Sequence, residues 1–241
     1  MTITSFIFDV DGTLTPSRGV MDKEFKEFFL NFQSKNNVYL VTGSDRDKTL
    51  EQVGEDVYNN CKKVYNCSGN SVWIKDKNIY TTEWTLDEQP WKFLESKLLY
   101  SNFAPKTGWH FDVRPGMVNF SIVGRKATQE QRQQYIEWDE KTNERKLITD
   151  ELNRYFGENY NVEATIGGET GIDISGVGLD KSQILKDFGY WDNIDFYGDK
   201  IVPGGNDWSL ALALVNGKYS YGKAIRVKDW QDTWKILKIN N

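Results

Sequence analysis

The first third of the chain alternates short apolar runs with amphipathic stretches, and this alternation constrains the fold more than any other feature. Residues 3–10 and 38–41 are apolar enough to form buried strands, and a third run begins at Val64. Between the first two runs, phenylalanines at positions 25, 28, 29 and 32 recur at the spacing of one helix face. A strand–helix–strand–helix–strand pattern is typical of a parallel sheet with helices on both faces. The sequence therefore predicts an α/β fold.

This rhythm is interrupted in the middle of the chain. The interrupting segment carries a predicted strand pair around Pro115–Gly116 and a polar helical stretch from Thr128 to Gly157. The strand and helix pattern of the start then returns and continues to the closing residues. We therefore predict a discontinuous core domain, residues 1–81 and 176–241, and an inserted α+β domain, residues 82–175.

The composition excludes several function classes. A net charge of -5 and a pI near 5.1 argue against a general nucleic-acid binder, which usually has a basic face. His110 is the only histidine, so a histidine-rich metal site is impossible, and Cys61 and Cys67 match no zinc or redox motif. No apolar run is long enough to span a membrane. The first residues lack the basic region of a signal peptide, so we expect a cytoplasmic protein with reduced cysteines.

The sharpest chemical signal directly follows the first predicted strand, where Asp9 and Asp11 precede Gly12. Residues two apart on a strand point to the same side, so we expect both carboxylates to leave the strand end together. Carboxyl ends of parallel strands are ligand sites, and two close carboxylates require a compensating cation such as Mg²⁺. One aspartate could then attack phosphorus while the other moves a proton.

Two other interpretations of this segment are weaker. A calcium-binding EF-hand loop needs glycine at its sixth position and glutamate at its twelfth. Counted from Asp9, Gly12 is fourth and Val20 is twelfth, so that loop is excluded. An ordinary pair of aspartates capping a turn is disfavoured, because both acids and a Gly-Thr pair directly follow a buried strand. The residues therefore favour a phosphoryl-transfer site.

Four segments, in this order, resemble motifs of the haloacid-dehalogenase (HAD) superfamily of phosphotransferases. They are Asp9–Thr13, Val38–Ser44, Asp180–Lys181, and the pair Phe196–Asp199 and Gly204–Asp207. Further segments are similar to eukaryotic-type phosphomannomutases: Asp11–Arg18, Arg114–Ser121, Gly124–Arg125, Arg132, Gly167–Asp173 and Pro203–Asp207. The resemblance covers nearly the whole chain and is weakest between Thr82 and Trp109. It implies a HAD-like Rossmannoid core with a parallel sheet, and an α+β cap as the insert.

The resemblance also implies a role for each site residue. Asp9 would be the nucleophile and Asp11 the acid/base. The implied Mg²⁺ ligands are Asp9, the Asp11 backbone carbonyl, Asp199 and, as a further acid of the fourth motif, Asp207. The residues implied to hold the reacting phosphoryl group are Thr42, Ser44 and Lys181. Those implied to hold the sugar phosphate are Arg18, Arg114, Arg125, Arg132 and Asp173.

The activity implied is that of a Mg²⁺-dependent phosphohexomutase. It would interconvert mannose 6-phosphate and mannose 1-phosphate through an aspartyl phosphate and a hexose bisphosphate, with hexose 1,6-bisphosphate as activator. The expected partner is a small hexose phosphate rather than nucleic acid or membrane, and the family suggests a homodimer through the cap.

Two alternatives stay open. A HAD-type sugar-phosphate phosphatase would use the same aspartyl phosphate, and Gly171, where the family usually has a serine, favours it by removing one hydroxyl contact. A sugar-phosphate-binding module without catalysis is the third possibility. The intact pair Asp9 and Asp11 counts against that module.

Overall fold

The structure is a computed structural model that describes residues 4–218 and 221–239. Ile3, where the first predicted strand begins, lies outside this part. The chain divides into two compact units. We call them the core unit, Met1–Thr82 and Asp180–Asn241, and the insert unit, Glu83–Leu179. Catalytic and substrate-binding roles for these units remain predictions.

Strands and helices alternate through both units. The strands are β1 (Thr4–Phe8), β2 (Asn37–Val41), β3 (Lys63–Asn66), β4 (Ser71–Ile74), β5 (Lys77–Thr81), β6 (Phe111–Arg114), β7 (Met117–Phe120), β8 (Glu163–Gly167), β9 (Gly171–Ser175), β10 (Asn193–Gly198) and β11 (Tyr221–Arg226). The α-helices are α1 (Lys23–Lys35), α2 (Arg46–Val53), α3 (Glu55–Asn60), α4 (Glu88–Tyr100), α5 (Gln129–Thr142), α6 (Glu144–Tyr160), α7 (Trp208–Ala213) and α8 (Trp230–Ile239). Two 3₁₀ helices span Cys67–Gly69 and Lys181–Asp187, and a π-helix spans Leu214–Lys218.

The core unit is built on one seven-stranded sheet in the order β11-β10-β1-β2-β3-β4-β5. The first five strands of that order are parallel, and the β3–β4 and β4–β5 pairs are antiparallel. One buried cluster includes side chains from α1, α3 and α8, and another includes side chains from α7 and the 3₁₀ helix Lys181–Asp187. The sheet is therefore covered on both faces, as the sequence predicted.

Helix α1 shows why the sequence folds this way. The Asp22 side chain accepts hydrogen bonds from the first helical N–H groups, which would otherwise lack partners. Phe25, Phe29 and Phe32 are buried, and the rings of Phe29 and Phe32 pack edge-on against Phe8 of β1. Each buried phenylalanine contributes roughly 1.5–3 kcal/mol of hydrophobic stabilisation. This packing fixes β1, whose carboxyl end leads into the candidate site.

The insert unit contains a four-stranded antiparallel sheet in the order β6-β7-β9-β8, and its core includes residues of α4, α5 and α6. The predicted strand pair around Pro115–Gly116 is confirmed as β6 and β7. The prediction of one helical stretch from Thr128 to Gly157 is wrong. Asn143 has left-handed backbone (φ 54°) and separates α5 from α6, a conformation that asparagine tolerates better than most residues.

Two features of composition can be compared with the described structure. Cys61 and Cys67 are buried free thiols, in agreement with the prediction of reduced cysteines. None of the helices in residues 4–218 and 221–239 is both long and apolar enough to cross a membrane.

Candidate active site

The candidate site lies at the carboxyl ends of three adjacent strands of the core unit. Asp199 follows β10, Asp9 follows β1, and Thr42 follows β2. A hydrogen bond from the Asp9 N–H to the Tyr197 carbonyl (2.9 Å) extends the pairing of β1 with β10 by one residue. The parallel pairing thus brings side chains from distant parts of the sequence to one edge of the sheet.

A buried lysine joins two of the acids. Lys181, the first residue of its 3₁₀ helix, donates from Nζ to Asp9 Oδ1 (2.6 Å) and to Asp207 Oδ1 (2.7 Å). The side chains of Lys181 and Asp207 are completely buried, and that of Asp9 is 4% exposed. Carboxylate oxygens of Asp9, Asp199 and Asp207 lie within 4.8 Å of one another.

Burial and mutual repulsion shift the pKa values in this cluster. Burial raises the pKa of the Asp9 carboxyl, and the Asp207 and Asp199 carboxylates raise it further, while Lys181 opposes the rise. Burial and Asp207 also raise the pKa of Asp199. Burial alone would lower the pKa of Lys181, but the carboxylates of Asp207 and Asp9 outweigh it and raise that pKa. Lys181 is therefore firmly cationic, and the acids are crowded.

Two glycines allow the acids to come this close. Gly12 has a positive φ of 80°, and a Cβ there would lie 2.6 Å from Asp199 Oδ2. A Cβ at Gly198 would lie 2.6 Å from Asp207 Oδ2. A side chain at either position would push a carboxylate out of the cluster, so the glycines are required by the position of the acids.

The donor set of this cluster fits a Mg²⁺ ion. Three carboxylates face one buried ammonium, and the partly exposed Lys200 Nζ lies 3.2 Å from Asp199 Oδ2, so an excess of negative charge remains. Clustered carboxylate oxygens are the ligands that Mg²⁺ prefers, and a cation would relieve their repulsion. The residues Asp9, Asp199 and Asp207 could therefore hold such an ion.

The Asp11 carboxylate has different partners from Asp9. Its Oδ1 accepts hydrogen bonds from the Arg18 N–H (2.7 Å) and Gln52 Nε2 (2.9 Å), and its Oδ2 accepts from Ser44 Oγ (3.3 Å). It does not belong to the group of three clustered carboxylates found among the described residues. Its backbone carbonyl as a metal ligand stays a prediction.

The prediction that strand alternation places Asp9 and Asp11 on the same side is wrong, because strand β1 ends at Phe8. Residues beyond it do not alternate as on a strand. The N–H groups of Thr13, Leu14 and Thr15 turn back to the Val10 carbonyl. A tight turn rather than strand alternation therefore positions the second acid.

The remaining predicted phosphate ligands of the core unit lie close to Asp11 along the hydrogen-bond network. The Ser44 N–H donates to Thr42 Oγ1 (3.0 Å), and Thr42 is buried. Arg18 has left-handed backbone (φ 55°) and holds Asp11 through its N–H. Sequence reasoning missed Gln52, a buried amide in the last turn of α2, although a polar residue on the buried side of a helix is itself a signal.

A second group of charged residues lies in the insert unit. Arg114 and Arg125 both donate to Asp112 Oδ2, at 2.5 and 2.6 Å between nitrogen and oxygen. Arg125 Nη1 also donates to Asn119 Oδ1 (2.9 Å), and Asn119 Nδ2 donates to Asp173 Oδ1 (2.6 Å). The predicted residues Arg114, Arg125 and Asp173 are thus brought into one network.

The partners that link this network were not predicted. Asp112 lies two residues before Arg114 on the same strand, and that spacing could have identified it, because both side chains leave the same face. Asn119 lies on the neighbouring strand β7, opposite Asp112 in the β6–β7 register. A Cβ at Gly171 would lie 2.6 Å from Asn119 Nδ2, so the missing side chain at this position leaves room for the Asn119 amide.

Arg132 has partners of its own. Its side chain is 6% exposed and donates to Glu169 Oε2 (2.7 Å) and to Thr170 Oγ1 (3.2 Å). The Thr128 side chain accepts from the Gln131 N–H and the Gln131 side chain accepts from the Thr128 N–H, a capping box that starts the helix carrying this arginine. Arg132 is therefore held against the turn between β8 and β9.

Comparisons with known proteins agree with this architecture. A family model described as eukaryotic phosphomannomutase matches residues 25–239. A probable phosphomannomutase from Caenorhabditis elegans is 33% identical over 221 residues, which cover 86% of this chain and 85% of the relative.

Two solved structures share the fold. The C-terminal domain of C. albicans trehalose-6-phosphate phosphatase has a TM-score of 0.69 and 15% identity, covering 99% of this chain and 92% of that chain. A haloacid dehalogenase-like hydrolase from Bacteroides thetaiotaomicron has a TM-score of 0.58 and 11% identity, covering 99% and 100%. At such identities the likeness concerns the fold alone, and it confirms the predicted HAD-like α/β class.

Proposed function

The chain belongs to the eukaryotic phosphomannomutase family of phosphotransferring enzymes, and on this premise we propose that it is a Mg²⁺-dependent phosphohexomutase. The substrates proposed are mannose 6-phosphate and mannose 1-phosphate, interconverted through an aspartyl phosphate and a hexose 1,6-bisphosphate. The observation that carries the proposal is the buried Lys181 bridging Asp9 and Asp207 beside Asp199.

In the proposed first half-reaction, Asp9 takes a phosphoryl group from the bisphosphate. Lys181 occupies Asp9 Oδ1, whereas Oδ2 accepts a hydrogen bond from Thr13 Oγ1 (3.2 Å). We assign the attack to Oδ2. A bond forms between Oδ2 and phosphorus, the bond between phosphorus and the sugar oxygen breaks, and Asp11 gives that oxygen its proton. Mannose 6-phosphate leaves and mannose 1-phosphate enters. In the second half-reaction its free 6-hydroxyl attacks the aspartyl phosphate, the bond between phosphorus and Asp9 Oδ2 breaks, and the hydroxyl proton passes to Asp11. The bisphosphate so formed changes orientation before it gives its other phosphoryl group to Asp9.

The metal ion has a limited part in this proposal. Asp9, Asp199 and Asp207 would hold it, together with the Asp11 carbonyl implied by the family. When bound, Mg²⁺ supplies positive charge that offsets the phosphate and the crowded acids. Lys181 offsets part of the negative charge of Asp9 and Asp207 with or without the ion, and Thr42 and Ser44 are the proposed donors to the phosphoryl oxygens.

A mutase must also hold the phosphate that is not reacting. Arg114 and Arg125 of the insert unit are proposed for this task, because guanidinium groups form paired hydrogen bonds with phosphate and stay charged at every physiological pH. Asp173 and Arg18 are proposed to position the sugar phosphate, as the family implies. Arg132 is proposed as a third cationic ligand.

A sugar-phosphate phosphatase is the second candidate, and the missing side chain at Gly171 is the observation that favours it. Water rather than sugar would then attack the aspartyl phosphate. An assay with mannose 1-phosphate and Mg²⁺, with and without hexose 1,6-bisphosphate, distinguishes the two by following isomerisation and phosphate release together. We expect isomerisation to be faster and to depend on bisphosphate. Phosphate release much faster than isomerisation, even with bisphosphate present, would establish the phosphatase instead.

A further inference from the structure

The charged side chains at the predicted phosphate ligands of the insert unit cancel one another. Arg114 and Arg125 share a network with Asp112 and Asp173, and Arg132 forms a separate pair with Glu169, so three arginines are matched by three acids. We call these six residues together the insert-unit network. The arginines also act on one another: burial first, and then Arg114 and Arg132, lower the pKa of Arg125. A phosphate approaching this network therefore meets guanidinium groups that carboxylates already occupy. It gains full charge-assisted hydrogen bonds only where a carboxylate withdraws.

The two acids that hold arginines differ in how firmly they are held. Asp112 accepts from both Arg114 and Arg125, belongs to strand β6, and is 24% exposed. Among the described residues Glu169 accepts a hydrogen bond only from Arg132; it belongs to the turn between β8 and β9, and its side chain is 39% exposed. Glutamate also has one more rotatable bond than aspartate. Glu169 is therefore the acid that withdraws at the lower cost.

Arg132 is prepared to bind an anion once Glu169 withdraws. Its side chain is only 6% exposed, so its charge is poorly solvated. Its Nε is buried and finds no hydrogen-bond acceptor among the residues that the structure describes. A buried donor without a partner is destabilising, and an anion that accepts a hydrogen bond from it would remove this destabilisation. Phosphate offers more acceptor oxygens than the single carboxylate oxygen now bound to Nη2.

We propose that Glu169 acts through Arg132 and limits substrate affinity, because it competes with the non-reacting phosphate of the substrate for that arginine. This inference rests on the proposed function, which makes a sugar phosphate the ligand of the network. The competition weakens the hold on that phosphate, so a hexose bisphosphate binds less tightly than three arginines would otherwise allow. A looser hold suits a mutase, because the bisphosphate must change orientation between its two half-reactions.

The test is the affinity of the full-length protein for hexose 1,6-bisphosphate, measured by calorimetry with a chelator present so that no phosphoryl transfer occurs. Glu169→Gln keeps the shape and the hydrogen-bonding reach but removes the charge. We expect about fivefold tighter binding, equivalent to about 1 kcal/mol at 1.4 kcal/mol per factor of ten. The KM for mannose 1-phosphate in Mg²⁺ should fall in parallel, whereas loss of a merely structural pair would raise it.

Two further variants test the mechanism. Glu151→Gln is the matched control, because Glu151 is also in the insert unit, is 38% exposed and pairs with Lys97 outside the network. We expect no change in bisphosphate affinity for this variant. In an Arg132→Gln background, the gain from Glu169→Gln should disappear, since the competition acts through Arg132.

Several results would overturn the inference. They are unchanged or weaker binding in Glu169→Gln, an equal gain in Glu151→Gln, a gain that survives without Arg132, or no bisphosphate binding in any variant. Failure of the proposed function looks different. In that case the bisphosphate binds and Glu169→Gln tightens it, but the unmodified protein with Mg²⁺ does not isomerise mannose 1-phosphate.

Discussion

Replacement of Lys181 by methionine is the most informative perturbation of the core unit. Methionine preserves most of the side-chain volume but removes the ammonium that donates to Asp9 and Asp207. All three side chains are at most 4% exposed, so solvent cannot take over the lost interaction. The variant leaves two buried carboxylates facing each other, with Asp199 nearby.

The magnitude follows from this burial. Removing one partner of a buried ion pair costs about 3–5 kcal/mol, because the remaining charge is uncompensated. Lys63→Met provides the matched control, since Lys63 pairs with Asp187 in the same unit with side chains 23% and 26% exposed. Pairs that solvent reaches contribute about 1 kcal/mol or less, so the control should lose little stability.

The assay is urea unfolding followed by tryptophan fluorescence, first with chelator and then with Mg²⁺. We expect Lys181→Met to lose about 3–5 kcal/mol of unfolding free energy with chelator. Part of the loss should return with Mg²⁺, because a cation bound by the three acids relieves their repulsion. The reasoning is refuted if Lys181→Met costs no more than Lys63→Met, or if Mg²⁺ stabilises the variant no more than the unmodified protein.

Three further predictions concern the metal, the arginines and pH. Asp199→Ala should raise the Mg²⁺ concentration needed for half-maximal isomerisation. Chelator should abolish the activity of the unmodified protein while circular dichroism shows an intact fold. Full activity in chelator would contradict the metal site. Arg114→Ala should lower kcat/KM for hexose phosphate about tenfold or more, since a charge-assisted hydrogen bond contributes roughly 1.5–3 kcal/mol. Hydrolysis of p-nitrophenyl phosphate, which has no second phosphate, should be nearly unchanged. A parallel fall in both activities would show that Arg114 has a structural role instead. Burial would raise the pKa of Asp112, but Arg114 and Arg125 outweigh it and lower that pKa. Asp112 therefore stabilises the fold above its ordinary pKa of 3.8, and this contribution disappears as the pH falls through its lower folded value. The stability deficit of Asp112→Asn, roughly 1–3 kcal/mol at pH 7, should shrink in acid unfolding experiments, and a constant deficit would contradict the pairing.

Local sequence patterns predicted several strands and helices of the core unit, because their burial follows short runs and regular spacings of apolar residues. The apolar runs before Asp9 and the phenylalanine stripe of α1 each reveal burial within a few residues of sequence. The same reasoning missed α4 and the hairpin of β8 and β9. It also missed the break at Asn143, because one asparagine within a polar stretch gives no periodic signal.

The residues of the candidate site also fall into two groups, those that the sequence predicted and those that it did not. Acids and lysine at motif positions could be proposed from the sequence, but their partners could not. Gln52 contacts Asp11 from 41 positions away, and Glu169 contacts Arg132 across 37 positions. Such contacts depend on how strands and helices pack in three dimensions. The spacing of residues within one short segment does not predict that packing. Asp112 is the exception, since it lies two residues from Arg114 on one strand.

The measurement that most directly tests the account is detection of phosphate on Asp9. The protein is mixed with hexose 1,6-bisphosphate and Mg²⁺, quenched in acid within the turnover time, digested and examined by mass spectrometry. We predict a phosphoryl adduct on the peptide that contains Asp9, formed also by Asp11→Asn at reduced turnover and not formed by Asp9→Asn. Isomerisation without any adduct, or normal turnover in Asp9→Asn, would contradict the assignment of Asp9 as the nucleophile.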